Sequence, residues 1–162
     1  MKDTKPIKRS PFLAEFSKDH HFGLLLAWKI RQGLKNNIEP ERIARYIIFY
    51  FNNELLSHFV EEEKLLFKKL DEQSELRKQA ESDHVAIYQL VVQIMHNRND
   101  DKLIGQFADK LEEHIRFEER ELFNYIQACL SEDELTDIAG QFSRQVHDAD
   151  ITWQDEFWVN KN

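Results

Sequence analysis

The stretch HFVEEEKLLF, residues 58–67, returns as HIRFEERELF at residues 114–123. Both copies follow the pattern His-x-x-x-Glu-Glu-x-x-Leu-Phe. Residues four apart lie on the same face of an α-helix, so each copy turns one imidazole and one carboxylate in the same direction. Each pair could bind one cation. The pairs are His58 with Glu62 and His114 with Glu118.

The composition favours helix throughout the chain. The 162 residues contain only four glycines and three prolines, while helix-forming residues such as Glu, Lys, Leu, Gln and Ala dominate. Long helices joined by short connections pack as antiparallel neighbours. We therefore expect an all-α protein, an up-down-up-down antiparallel four-helix bundle with an extra C-terminal helix. The bundle helices are predicted at about residues 11–35, 40–70, 73–96 and 101–130.

Capping signals support two of these helix starts. Ser10 followed by Pro11 is typical of an N-cap with proline at the first helical position. Ser131 and Glu134 have the spacing of a capping box, which predicts that a terminal helix begins there. We expect that helix to carry an aromatic lid packed on the bundle, with a dimer interface as the alternative. The lid residues are Trp153, Phe157 and Trp158.

Length, charge and cysteine content limit the classes of function. We expect residues 1–162 to form a single domain, with the bundle over about 11–130 and a C-terminal helical segment over about 131–160. A formal net charge of −8 repels nucleic acid and anionic lipid, and no stretch approaches the roughly 18 apolar residues of a membrane span. The single cysteine and the absence of an apolar signal segment favour a reducing compartment. The expectation is a cytoplasmic protein, monomeric or weakly dimeric, with no nucleic-acid or membrane partner.

The other two predicted helices each add a histidine on their buried side. His20 lies on an apolar stripe of the first helix, and His21 is turned about a quarter-turn away from it. His84 lies with Ile87 and Val91 on the buried side of the third helix. At about 1.5 Å rise per residue, the chain lengths between the turns place all four helix histidines within a few ångströms of one height. We therefore expect four imidazoles and two carboxylates in one layer of the bundle.

These six side chains indicate a metal centre. Imidazoles and carboxylates are costly in a dry core unless a cation or a complete hydrogen-bond network satisfies them. Six ligands exceed the needs of one tetrahedral zinc and suit two ions bridged by carboxylates and an oxygen ligand. Mixed nitrogen and oxygen donors favour two iron ions, Fe²⁺ or Fe³⁺, with manganese or zinc also possible. The alternative is a set of core histidines satisfied without any metal.

At these residues the chain resembles the hemerythrin-like family, the HHE cation-binding domains, from about Phe12 to Leu130. The matching motifs are Asp19-His20-His21, His58-x-x-x-Glu62, Ser82-Asp83-His84 and His114-x-x-x-Glu118. The resemblance implies a four-helix bundle with a non-haem di-iron site. It also implies terminal ligands from the four histidines and bridging by the two glutamates, with His21 as the alternative in the first helix. The implied ligands are His20, His58, His84, His114, Glu62 and Glu118.

The chain also departs from the family pattern. Tyr88 stands where oxygen carriers have a second histidine in the third helix, so the five-histidine pattern is incomplete. Tyr88 is expected to line the ligand pocket, to form a hydrogen bond with a bound ligand, or to coordinate the metal weakly. The alternative is an ordinary core tyrosine. Lys68 and Asn124 stand where many members have proline, which predicts helices that continue further. The remaining site is similar to that of bacterial proteins linked with nitrosative stress and iron–sulfur repair.

Several other polar residues receive a more ordinary interpretation. We expect the side chains of His96 and His147 to face solvent. A solvated face, or a second layer of residues around the site, is the expected position of Glu61, Glu63 and Glu119. One turn before a site histidine, where they could orient its ring, lie Glu54 and Glu81.

The function expected from these patterns is a non-haem di-iron protein that binds or reacts with a small ligand, namely O2, NO or peroxide. Its use would be sensing, stress protection or iron delivery. The alternative is a ferritin-like di-iron oxidase or peroxidase. That class uses paired Glu-x-x-His motifs, and here Glu81-x-x-His84 alone fits. A structural metal-binding scaffold is the third possibility.

Overall fold

The computed structural model describes residues 9–142 and 152–159, and every regular element in these ranges is helical. Four long helical rods joined by short connections confirm the prediction of an all-α bundle. The first and third rods are the uninterrupted helices α1 (Ala14–Lys35) and α4 (Glu75–His96). α1 and α4 both pack against the fourth rod, and α4 also contacts the second.

The second and fourth rods contain wider π-helical turns. The second rod consists of α2 (Pro40–Tyr50), a π turn (Phe51–Leu55), α3 (Leu56–Glu61), a π turn (Glu62–Leu66) and a 3₁₀ turn (Phe67–Lys69). The fourth consists of α5 (Asp101–Phe117), a π turn (Glu118–Leu122) and α6 (Phe123–Cys129). Lys68 and Asn124 stand where many members of the resembled family have proline. The fourth rod continues past Asn124 as α6, as predicted, whereas the second rod ends in its 3₁₀ turn one residue after Lys68.

The helix starts follow local capping chemistry. The Ser74 hydroxyl accepts a hydrogen bond from the Arg77 amide at 3.4 Å, and the Asp100 carboxylate accepts one from the Leu103 amide at 3.1 Å. α1 begins later than predicted, because residues 11–13 form a turn before the helix starts at Ala14.

The terminal helix α7 (Glu132–Gln141) begins with the predicted capping box between Ser131 and Glu134. It ends at Gln141, however, and the aromatic residues assigned to it lie in the non-helical part of segment 152–159. The prediction that they are helical was therefore wrong. They still cover the bundle, since the Tyr46 ring lies 5.2–5.6 Å from three of their ring centroids. Those rings belong to Trp153, Phe157 and Trp158.

The apolar core divides into two clusters with a polar layer between them. The first includes Leu26, Ile30 and Phe107, and the second includes Phe16 and Phe123. Within α1, His20 lies between Phe16 of the second cluster and Leu26 of the first, and within α4, His84 lies between Ala80 of the second cluster and Ile87 of the first. Polar side chains in this layer are consequently shielded from solvent on two sides. Among the described residues, no helix is long and apolar enough to cross a membrane.

Candidate metal centre

Four rods each contribute one histidine to the polar layer, and two rods add a glutamate. The glutamates are the first residues of their π turns, directly after α3 and α5. All six residues are buried, with no more than 4% of their surface exposed. These residues are His20, His58, Glu62, His84, His114 and Glu118.

The Nε2 atom of every imidazole points at the two glutamates. The Nε2 of His20 lies 2.8 Å from Oε2 of Glu118, and the Nε2 of His114 lies 2.7 Å from Oε1 of Glu118. The Nε2 of His58 lies 3.1 Å from Oε1 of Glu62. The Nε2 of His84 is placed between both glutamates, 3.4 Å from Glu62 and 3.5 Å from Glu118. Glu62 and Glu118 thus form the centre of the layer.

The inward-facing atoms contact one another but form no aligned hydrogen bonds within the described part of the chain. Among the described residues, the four Nε2 atoms and both oxygens of each central glutamate are buried without an aligned hydrogen-bond partner. Such unsatisfied polar groups are rare in folded proteins and call for an explanation. A bound cation would use these atoms as ligands.

The donor atoms fall into two overlapping groups of metal-binding size. Within each group, one ligand atom from every residue lies within 4.8 Å of the others. Ligand distances of about 2.0–2.2 Å place donors on opposite sides of an ion within about that span. The first group is His20, His58, Glu62 and Glu118, and the second is Glu62, His84, His114 and Glu118. The residues present fit two ions that share both glutamates.

The outward Nδ1 atom of each imidazole donates to a different carboxylate. The pairs are His20 with Glu119 at 2.7 Å, His58 with Asp19 at 2.9 Å, His84 with Glu63 at 3.0 Å and His114 with Asp83 at 2.9 Å. A proton held on Nδ1 leaves the Nε2 lone pair free to face the centre. The orienting carboxylates therefore set the tautomer that metal binding requires.

The sequence predicts these orienting carboxylates only in part. A solvated face or a position around the site is the expectation for Glu63 and Glu119, whereas the motifs that contain Asp19 and Asp83 assign them no role. The signal was present, because an aspartate directly precedes His20 and another directly precedes His84. Two aspartates at the same relative position in two helices indicate a shared task.

The remaining candidates are placed as follows. Glu81 pairs with Arg77 at 2.6 Å instead of orienting an imidazole, which corrects that prediction. Glu54 is buried one turn before His58, and its role stays a prediction. His21 and His96 are exposed. His147 lies outside the described residues.

The central charges shift the pKa values of the cluster strongly. Burial lowers the pKa of an imidazole, but Glu62 and Asp19 outweigh burial at His58 and raise its pKa to about 9. Glu118, Glu62 and Glu63 likewise overcome burial and raise the pKa of His84 to about 11. Burial and Glu118 act to raise the pKa of Glu62, yet contacts that include His58 and His20 together lower it to about 2. The carboxylates therefore favour positive charge at the centre of the layer.

Tyr88 is not a core residue. Its side chain is half exposed, and its ring lies 5.9 Å from the ring of Phe51. Both rings line a pocket on the surface of the bundle that also reaches His84. Of the roles expected for Tyr88, lining a pocket agrees with this position and an ordinary core tyrosine does not.

Comparison with known proteins adds one match. A family model described as the hemerythrin HHE cation binding domain matches residues 13–126, which include all six residues of the polar layer. Neither the curated proteins nor the solved structures provided a significant match.

Proposed function

The chain belongs to the hemerythrin HHE cation-binding domain family, and on that premise we propose that it is a non-haem di-iron protein that binds or reacts with O2, NO or peroxide. Membership of this family implies cation binding. Our proposal adds the number of ions, the metal and the class of ligand. Sensing, stress protection and iron delivery are the uses that fit such a reaction.

One observation carries the proposal. Eight buried donor atoms, four imidazole nitrogens and four carboxylate oxygens, converge at ion-pair distances but without an aligned hydrogen bond among the described residues. Their division into two groups that share two carboxylates matches a pair of ions bridged by glutamate. Single tetrahedral zinc would leave several of these donors unused.

The side chains have distinct tasks in this proposal. His20 and His58 would hold one ion, His84 and His114 the other, and the two central glutamates would bridge them. When bound, iron would supply electrons and open coordination positions for a small ligand. The carboxylates on the Nδ1 atoms orient the rings and increase their donor strength. The two apolar clusters restrict access of water to the layer.

A ferritin-like oxidase is a weaker candidate. It would require paired Glu-x-x-His motifs in the layer. Glu81 of the matching motif is instead partly exposed and paired with Arg77. The repeated His-x-x-x-Glu pattern is the one whose side chains meet in the core.

Metal content and optical spectroscopy test the proposal. The isolated protein should contain about two iron ions per chain, and adding O2 to the anaerobically reduced protein should produce a new near-ultraviolet and visible band. Zinc alone, with no spectral change after reconstitution with ferrous iron, would indicate a structural scaffold. No stoichiometric metal after anaerobic reconstitution would refute the proposed centre.

A further inference from the structure

The metal layer consists of two halves with nearly the same inner residues. The first half is His20 with His58 and the second half is His84 with His114. Asp19 orients His58 just as Asp83 orients His114, so each aspartate acts across to the neighbouring rod. In the same way, Glu119 orients His20 and Glu63 orients His84. Any difference between the two halves must therefore come from residues outside this layer.

A pocket of about 210 Å³ distinguishes the second half. It is lined by Phe51, Leu56, Phe59, Glu63, His84, Val85 and Tyr88, most of which are apolar. Leu56, Tyr88 and Val85 are 41%, 52% and 56% exposed, so the pocket opens at the protein surface.

Phe59 separates this pocket from the metal layer. Its ring stacks on that of His84, with 4.0 Å between centroids and an interplanar angle of 15°. The same ring meets that of His114 edge-on at 5.8 Å. Phe59 therefore contacts both imidazoles of the second half and also lines the pocket. Phe59 and His84 therefore form the wall shared by the pocket and the metal layer.

The corresponding surface of the first half is charged. The sequence repeat places Glu112 at the position of Leu56, and Glu119 at the position of Glu63. Arg31 pairs with Glu112 at 2.6 Å, and Arg9 pairs with Glu119 at 3.1 Å. Ion pairs hold hydrated side chains together and do not provide an apolar surface for a small guest.

We propose that the pocket beside Phe59 binds small apolar molecules and admits them to the half of the centre formed by His84 and His114. Apolar cavities of about 150 Å³ are known to bind xenon or benzene, so this volume is sufficient for a diatomic gas. O2 and NO are small and weakly hydrated, and apolar walls suit them better than ion pairs do. Passage of the small molecule to the metal centre rests on the proposed di-iron function. Binding of a small molecule in the pocket does not.

Xenon tests the pocket without requiring any metal. Methyl NMR spectra under xenon pressure should show shifts for Leu56 and Val85 that saturate with pressure. Val85→Trp should abolish the shifts of Leu56 because the indole fills the mouth of the pocket. The matched control is His21→Trp, since His21 occupies the equivalent position in the first half and is also exposed. Absence of saturable shifts in the wild-type protein would overturn the pocket assignment.

Nitric oxide tests the route to the centre. In the iron-loaded, reduced protein, Val85→Trp should slow stopped-flow association of NO by roughly tenfold and leave iron content unchanged. His21→Trp should leave both quantities unchanged. Equal association rates in the two variants would refute the route even if xenon binds. A protein that takes up no iron would refute the proposed function instead, and the xenon shifts would still decide the pocket.

Discussion

The two ring nitrogens of each site histidine perform different tasks. Nε2 faces the central glutamates, and Nδ1 donates to an orienting carboxylate. Both contacts depend on burial, because solvent would compete for the same atoms. His20 and His21 show how far adjacent residues can differ, since the first is buried in the layer and the second is exposed.

This contrast provides a test of the ligand assignment. His20→Ala should remove at least one of the two proposed ions, because it deletes an Nε2 donor from the first group. His21→Ala should retain full metal content. Elemental analysis of both variants after identical reconstitution measures the difference. Metal loss in His21→Ala, with full retention in His20→Ala, would show that His21 and not His20 is the metal ligand of the first helix.

A second test concerns Asp83, because its carboxylate accepts hydrogen bonds from three groups. These are Nδ1 of His114 at 2.9 Å, Nζ of Lys110 at 2.9 Å and the Gln79 amide at 2.8 Å. Asp83→Asn should keep the ligands yet weaken metal affinity by about 10–100-fold, because the charge that supports His114 is lost. Competition with a chelator measures the affinity.

Asp109→Asn is the matched control for that experiment. Asp109 pairs with Arg31 at 2.8 Å on the surface and is 76% exposed at its side chain. Its replacement should leave affinity unchanged. Equal affinities in the two variants would remove Asp83 from the support of the metal centre.

Among the secondary-structure elements, the π turns Glu62–Leu66 and Glu118–Leu122 have a consistent position. One begins at each central glutamate, and each is followed by buried residues, Phe67 in the second rod and Phe123 in the fourth. A π turn accommodates one residue more than an α turn and changes the rotation of everything after it. These turns therefore allow the glutamate and the following phenylalanine to face the core together.

Deleting Lys64, an exposed residue within the first of these turns, should restore α geometry. Leu66 and Phe67 should then keep nearly the same orientation, because the deletion removes the extra residue that a π turn holds. We therefore expect the free energy of unfolding to fall by less than about 3 kcal/mol, the typical loss for removal of a large buried side chain. Denaturant unfolding measures this change, with Lys64→Ala as the control that preserves length. A larger fall in the deletion variant alone would show that the π turn does more than absorb one extra residue.

At the scale of the whole molecule, the C-terminal segment closes one end of the bundle. Phe157 is buried against Tyr46 at 5.6 Å, and Arg42 pairs with Asp155 at 2.6 Å. Lys29 lies 4.2 Å from the ring of Trp158 in a cation–π contact. These contacts involve the larger apolar cluster and none of the six metal-layer residues, so stability and metal binding should be separable.

A pair of glycines tests this separation. A Cβ atom at Gly33 would lie 2.8 Å from atoms of both Phe157 and Ile43, whereas one at Gly105 would be 3.8 Å from Leu34. Gly33→Ala should lower the free energy of unfolding by about 1–3 kcal/mol through overpacking. Gly105→Ala should leave it unchanged or raise it by up to about 1 kcal/mol, because alanine favours helix.

Metal content is the second measurement for these glycine variants. Both should retain the metal content of the wild-type protein, because the strain falls outside the polar layer. Loss of metal in Gly33→Ala at a temperature where the protein stays folded would contradict the separation of the two regions.

The all-α fold, most helix boundaries and the placement of four histidines and two glutamates in one layer could be predicted from the sequence alone. These features depend on neighbours along the chain, namely capping residues, helical periodicity and the four-residue spacing of His58 and Glu62. The height comparison also worked, because rods of known rise joined by short turns leave little freedom in register.

Contacts between side chains of different rods could be identified only in the folded structure. The pairing of Asp19 with His58, the π turns, the non-helical placement of Trp158 and the apolar pocket beside Phe59 all depend on packing. Local propensity does not specify such contacts, since a side chain's partner across the bundle is set by rotation and spacing of whole rods. The six inward residues could therefore be predicted from the sequence. The pairing of each imidazole with its orienting carboxylate, and the pocket beside Phe59, could be identified only in the folded structure.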